Sequence, residues 1–244
     1  MSDVVLRENE RIDDLEINGF RIIQNPFCFC FGIDAVMLAN FARIKKNAKV
    51  LDMGTGTGII PILLAAKGKG SDWTGLEVQS EMVEMARRST ELNDISHVCH
   101  IMEGDIKDYK SLFKHAEFGA VTCNPPYMKA NSGLTNPSDN LYISRHEALV
   151  SLEEIIAAAS YVLKSSGTFS MVHRPYRLVE IMTLMRKHHI EPKRLQMVQP
   201  SIGKEPNLIL IEGVKGAGVE LRVLPTFYVY DENGNMNDVV GGVG

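Results

Sequence analysis

The chain has 244 residues, of which 45% are apolar and 23% charged; these are ordinary globular proportions, enough for a sizeable core, and they exclude disordered, collagenous and coiled-coil classes. Its longest apolar run, Ile59 to Ala66, is far short of the ~20 residues of a membrane span, and the acidic start MSDVVLRENERIDD lacks the basic and apolar regions of a signal peptide, so a cytoplasmic location is expected. The net charge, 26 − 30 = −4, gives the molecule no overall attraction for a polyanion, so any contact with nucleic acid must be a local patch.

In chain order, the segment Asn18–Asp34 reads as strand and loop, with Phe27, Phe29 and Phe31 on one face of a strand and Cys28 and Cys30 buried on the other. A helical run, Ala35–Ala42, follows. From residue 48 strands and helices alternate: strand Ala48–Met53, helix Gly58–Ala66, strand Trp73–Val78, helix Ser80–Leu92, then strands Val98–Met102 and Phe118–Cys123. The polar stretch Lys129–Asn140 is the longest loop without periodicity. Ser151 and Glu154 form a capping box, and Leu152, Ile155, Ile156, Ala159 and Leu163 then share one helical face. Strand Gly167–His173 comes next, and Pro175 opens a helix with Leu178, Ile181, Met182 and Met185 as its buried stripe. Arg194–Val198 and Asn207–Val214 are separated by Gln199–Pro206, which contains no helix, so they form an antiparallel hairpin. Leu221–Tyr230 reads as an extra strand or two, and Gly241–Gly244 as a fraying end.

This pattern implies an α/β fold, a Rossmann-like doubly wound seven-stranded sheet that is mostly parallel with a C-terminal antiparallel hairpin. The expected organisation is an N-terminal strand and helix extension (1–45), a core (46–214) and a C-terminal strand and tail (215–244). The four cysteines, Cys28, Cys30, Cys99 and Cys123, contain no C-x-x-C pair and the seven histidines no H-E-x-x-H spacing, so reduced thiols and no metal are expected.

Val50-Leu-Asp-Met-Gly-Thr-Gly-Thr-Gly58 ends one strand and opens a helix. Its three alternating glycines permit a tight turn that a ligand can approach closely. The dinucleotide pattern G-x-G-x-x-G fails, since Ile59 and Pro61 stand where the third glycine is needed. Asp52 lies two residues before Gly54, where its carboxylate repels a pyrophosphate and attracts a cation. Glu77 ends the next strand and can accept hydrogen bonds from both hydroxyls of a ribose. Asp105 follows the third core strand and suits either a ligand contact or a helix N-cap. The D-x-G-x-G-x-G loop and the sheet layout resemble class I methyltransferases. That resemblance implies S-adenosylmethionine as cofactor, held by Asp52, Gly54, Thr55, Gly56, Gly58, Glu77, with Asp105 at the adenine amino group and Asn124 beside the methyl.

Asn124-Pro-Pro-Tyr127 follows the fourth core strand, on the edge where open α/β sheets bind ligands. An amide or aromatic NH2 is a poor nucleophile because its lone pair is delocalised. Acceptors on its two hydrogens, the Asn124 side-chain oxygen and the Pro125 carbonyl, favour the pyramidal nitrogen that attack requires; Pro126 stiffens the turn and Tyr127 stacks on a planar substrate. Tetrad and glycine loop together resemble amino-directed methyltransferases: N6-adenine enzymes of DNA or RNA, guanine-N2 enzymes of ribosomal RNA, and N5-glutamine enzymes of release factors.

Residues 8–230 as a whole, with Phe31-Gly-Ile-Asp34 before the core, resemble the bacterial tRNA(Val) adenine-N6 methyltransferases, which modify the adenine 3′ to the anticodon. The resemblance implies that Phe31 and Asp34 lie against the cofactor; Gly32 stands where that family commonly has Ser. The N5-glutamine release-factor enzymes, whose helical N-terminal domain has no counterpart in the 47 residues before Ala48, are the alternative, followed by other RNA or DNA enzymes and small amine substrates. For a tRNA partner the candidate phosphate contacts are Lys129, Arg145 and His146 flanking the tetrad, and Arg174 and Arg177, which open a stretch to Arg194 holding six Lys or Arg against two acids. His173, His188 and His189 stand beside that stretch. Nothing in the sequence sets an oligomeric state.

Overall fold

A computed structural model of the chain describes residues 4–27, 32–126 and 150–238. The core strands are β3 (Lys49–Met53), β4 (Asp72–Glu77), β5 (Cys99–Glu103), β6 (Phe118–Cys123), β7 (Leu163–His173), β8 (Ile190–Gln199) and β9 (Leu208–Lys215). They follow a hairpin of β1 (Arg11–Asp14) and β2 (Arg21–Gln24) and are interleaved with α1 (Ile33–Phe41), α2 (Ile59–Ala66), α3 (Ser80–Leu92), α4 (Tyr109–Leu112), α5 (Leu152–Val162) and α6 (Leu178–Lys187). The sheet order is β8-β9-β7-β6-β3-β4-β5. β3 to β7 pair in parallel and β9 runs antiparallel to both β7 and β8, so the expected seven-stranded sheet is present. Two more short strands, β10 (Arg222–Val223) and β11 (Phe227–Tyr228), add to the outer edge of β8 and bring the total to nine.

Neighbouring residues of each strand serve opposite layers. Val50, Trp73, Ala120, Leu208 and Leu210 join α1, α2 and α3 in one buried cluster, while Leu51, Leu76, Val121, Ile209 and Ile211 join α5 and α6 in another. This is the alternation of a strand buried on both faces. Each wholly buried Leu or Ile contributes about 1.5–3 kcal/mol. Helix α5 starts at the expected capping box, with the Ser151 hydroxyl accepting from the Glu154 N–H and Glu154 accepting from the Ser151 N–H.

Strand limits differ where helix and strand meet without a loop. β7 begins at Leu163 rather than Gly167 because α5 runs straight into it, and the exposed Lys164–Ser166 stretch passes a register shift against β6. β8 begins at Ile190 rather than Arg194; Pro192, which has no N–H to give a ladder, sits at a second register shift. Pro175 opens a short 3-10 turn, Pro175–Arg177, which leads into α6. Phe27 lies beyond the end of β2 with 82% of its surface exposed, so it is not on a buried strand face. Phe29, Phe31, Cys28, Cys30 and the loop Lys129–Asn140 lie outside the described residues. Cys99 and Cys123 are free, buried thiols.

Candidate active site at the C-terminal ends of the strands

The order of the sheet reverses direction at β3, whose neighbours are β4 and β6; such a switch point opens the crevice in which doubly wound sheets bind ligands. Met53 pairs with Cys123, so Gly54 and Asn124 are the next residues on adjacent parallel strands, about 4.8 Å apart in strand spacing. The glycine loop and the tetrad therefore leave the sheet side by side. Asn124 is half-buried, Pro125 buried and Pro126 exposed; Tyr127, Lys129, Arg145, His146 and Phe31 lie outside the described residues.

The loop is held from below. The Gly54 and Thr55 N–H groups both donate to the Leu76 carbonyl, at 2.9 and 3.0 Å. Glu77 spans the gap: one carboxylate oxygen accepts from the Gly56 N–H at 2.9 Å, the other from the N–H groups of Val78 and Gln79 and from the Gln79 side chain. Gly54 and Gly56 have φ of +69° and +55°, and a Cβ on either points into open space. Gly58, the residue before α2, also has a positive φ, and a Cβ there meets Ala86 Cβ of α3 at 3.2 Å.

Asp52 is the strongest electrostatic feature. It is 1% exposed; Oδ1 accepts from the Thr122 hydroxyl at 2.7 Å, and Oδ2 is buried without a hydrogen-bond partner. Burial pushes its carboxyl up to about 7, against the lowering effects of the Thr122 hydroxyl and, less strongly, the Thr55 hydroxyl; the raising effect of the Glu77 charge is the smallest contribution. A buried acceptor in this state is completed by a donor that carries positive charge. The α-ammonium group of S-adenosylmethionine is such a donor, and the open side of the glycine loop admits it, so these residues fit that cofactor.

The remaining candidates are placed more plainly. Asp105 precedes the 3-10 turn Ile106–Asp108 and caps it, accepting from the Lys107 N–H at 2.9 Å, with Lys107 Nζ at 3.3 Å. Asp34 lies in the first turn of α1 and is half-buried. Arg174 follows β7 and donates to the Asn207 carbonyl at 3.0 Å. Arg177 is held by Glu180 through two hydrogen bonds of 2.6 and 2.9 Å.

The stretch from Arg174 to Arg194 is less positive in space than in sequence. Arg177, Arg186, Lys187 and Arg194 pair with Glu180, Glu191, Glu153 and Glu212. His173 is buried, and desolvation together with the Arg177 charge pushes it down to about 4, so it is neutral at pH 7. Four of its six cations are thus neutralised, two by acids of the stretch itself and two by Glu153 and Glu212 from elsewhere in the fold.

Two participants have no signal in the sequence. Thr122 reaches Asp52 because β3 and β6 pair in one particular register. Gly75 leaves room for Thr55: a Cβ there lies 2.8 Å from Thr55 Cγ2 and 2.9 Å from its Oγ1. Both sit on strands, and their contacts are tertiary. Among the described residues, no group of histidine, cysteine and carboxylate side chains could hold a metal.

A methyltransferase-domain family model matches residues 44–204. A Porphyromonas gingivalis protein named tRNA1(Val) (adenine(37)-N6)-methyltransferase is 30% identical over 206 residues, 82% of this chain and 80% of that protein. One of the same name from Aliivibrio salmonicida is 22% identical over 85% of this chain and 86% of its own. Among solved structures, a predicted O-methyltransferase from Agrobacterium tumefaciens shares the fold with a TM-score of 0.68 at 23% identity, over 86% of this chain and 96% of that one.

Proposed function

Because the chain belongs to the methyltransferase-domain family and, within it, to the tRNA1(Val) (adenine(37)-N6)-methyltransferases, we propose that it methylates N6 of the adenine 3′ to the anticodon in tRNA. S-adenosylmethionine is the cofactor and supplies a methyl group made electrophilic by its sulfonium. The observation that carries the reading is the register of β3 against β6, which sets Gly54 and Asn124 on neighbouring strand ends.

In this reading Asp52 and the open side of the loop hold the cationic end of the cofactor, Glu77 takes its ribose hydroxyls, and Asp34, Phe31 and Asp105 complete the cradle. Asn124 Oδ1 and the Pro125 carbonyl accept the two hydrogens of the target amine. Their pull favours a pyramidal nitrogen with its lone pair free, and placing that nitrogen in line with the methyl supplies most of the acceleration. Pro126 stiffens the turn, and Tyr127 stacks on the flipped base. No strong base is required: the newly methylated nitrogen is cationic and acidic, and its surplus proton passes to water. Arg174, at the end of β7, together with Lys129, Arg145 and His146, supplies phosphate contacts, whereas Arg177 enters with its charge already taken by Glu180. We place the reaction in the cytoplasm, where its tRNA substrate is processed.

The test offers methyl-labelled S-adenosylmethionine with either unmodified tRNA or a release factor. Label recovered in N6-methyladenosine is the expected result; label in a glutamine of the release factor, with none in tRNA, overturns the assignment.

A further inference from the structure

At the end of the sheet away from the glycine loop, the first residues of β3, β6 and β7 and the last turn of α1 enclose an open groove of about 780 Å³. Five cations line it, Arg43, Lys45, Lys69, Lys164 and Arg194, and no carboxylate among the described residues does. Two of the five are occupied. Arg194 stacks over Phe41 and pairs at 2.8 Å with Glu212, a buried carboxylate that also accepts from the Arg43 N–H and the Ser170 hydroxyl. Lys69 Nζ donates to the carbonyls of Ala39, Asn40 and Ala42, closing the C-terminus of α1.

Arg43, Lys45 and Lys164 are different. All three are exposed, and none of their side chains forms an ion pair among the described residues. A chain of net charge −4 thus gathers uncompensated positive charge on one groove, while the cations counted between Arg174 and Arg194 are mostly paired. Like charges held together repel, and an anion between them relieves that repulsion. The Ser165 and Ser166 hydroxyls stand beside them on the groove wall.

The ligand chemistry follows from the geometry. Exposed lysines are point charges on flexible stems, suited to phosphates of a backbone rather than to one tightly convergent anion. Gly119 lines the groove and Asn124 lies five residues further on, just past the end of β6, about 16 Å at the rise of a strand. Helices cover both faces of the sheet between these two ends, so an RNA engaged at the catalytic edge reaches the groove around a helical layer.

We propose that this groove is a second RNA contact, in which Arg43, Lys45 and Lys164 hold the sugar-phosphate backbone of the substrate about 16 Å from the methyl-transfer site. The proposal rests on the reading of the substrate as RNA. It gives the enzyme a means to select a folded RNA over a short strand that reaches only the tetrad.

The test is the double variant Lys45→Glu/Lys164→Glu, changed at two exposed positions, in the full-length enzyme with unmodified tRNA. Affinity is measured by fluorescence anisotropy from 50 to 200 mM salt, beside steady-state methyl transfer. The expected result is at least a roughly tenfold loss of tRNA affinity at the low-salt end, a slope of log K against log salt shallower by about 2, and a raised KM with kcat and cofactor affinity unchanged. Wild-type affinity and slope in the double variant overturn the groove contact while leaving the RNA reading intact. A wild-type enzyme that methylates no RNA overturns the reading beneath it. Saturable binding of inorganic phosphate that disappears in the double variant, with tRNA affinity unchanged, identifies a small-anion pocket and overturns the proposal as well.

Discussion

The Thr122 hydroxyl donates to Asp52 Oδ1 at 2.7 Å, a buried link between the strand that ends in the glycine loop and the strand that ends in Asn124-Pro-Pro-Tyr127. It couples the proposed cofactor site to the proposed catalytic turn through one carboxylate whose other oxygen has no hydrogen-bond partner among the described residues. Thr122→Val removes the donor and keeps the shape. The expected loss is about 1–3 kcal/mol of stability, the cost of leaving a buried acceptor unsatisfied, read by denaturant unfolding. Unchanged stability shows that the bond contributes nothing.

The raised Asp52 carboxyl sets a pH dependence. Between 3.8 and about 7 the folded chain keeps a proton that the unfolded chain has released, so the stability of the ligand-free protein falls as pH rises across that window. A cationic cofactor favours the carboxylate, so its affinity rises with pH up to about 7 and then levels off. Calorimetric titration between pH 5.5 and 8 measures this. Asp52→Asn is expected to weaken binding and flatten the profile; a slope that survives assigns the proton elsewhere.

Glu77 accepts four hydrogen bonds from the loop and its own turn. Glu77→Gln places an amide NH2 where donors already point and removes the charge. Cofactor affinity is expected to fall by about 1–3 kcal/mol, a charge-assisted bond, which is about fivefold to 150-fold. Calorimetry that finds the wild-type constant removes Glu77 from the cofactor site.

Gly75→Ala puts a methyl 2.8–3.0 Å from Thr55 and Ile101. The neighbours are a packed strand and the loop itself, so overpacking of about 1–3 kcal/mol is expected, with weaker cofactor binding in the same variant. Stability and affinity both at wild-type values contradict the close packing.

Local patterns carried far. The capping box at Ser151 and Glu154, the glycine loop and the whole of Phe118–Cys123 are set by residues a few positions apart, so they are readable without the fold. What escaped depends on partners distant in sequence. The Asp52–Thr122 bond spans 70 residues and exists only in one strand register. Lys187 and Glu153 are 34 apart, so a charge count over Arg174–Arg194 missed the acid that neutralises it. The uncompensated cations Arg43, Lys45 and Lys164 come from two segments that converge only when β3 and β7 flank β6. Lys164–Ser166 carries no apolar alternation because it is exposed at the margin of the sheet, and the start of β7 was hidden for that reason.

The assignment of Asn124 to the reacting amine is decided by methyl transfer to unmodified tRNA with the wild-type and Asn124→Ala enzymes, followed by nucleoside mass spectrometry. N6-methyladenosine is expected with the wild type and none with Asn124→Ala, whose cofactor affinity stays within a few-fold. Near wild-type turnover by Asn124→Ala overturns the assignment.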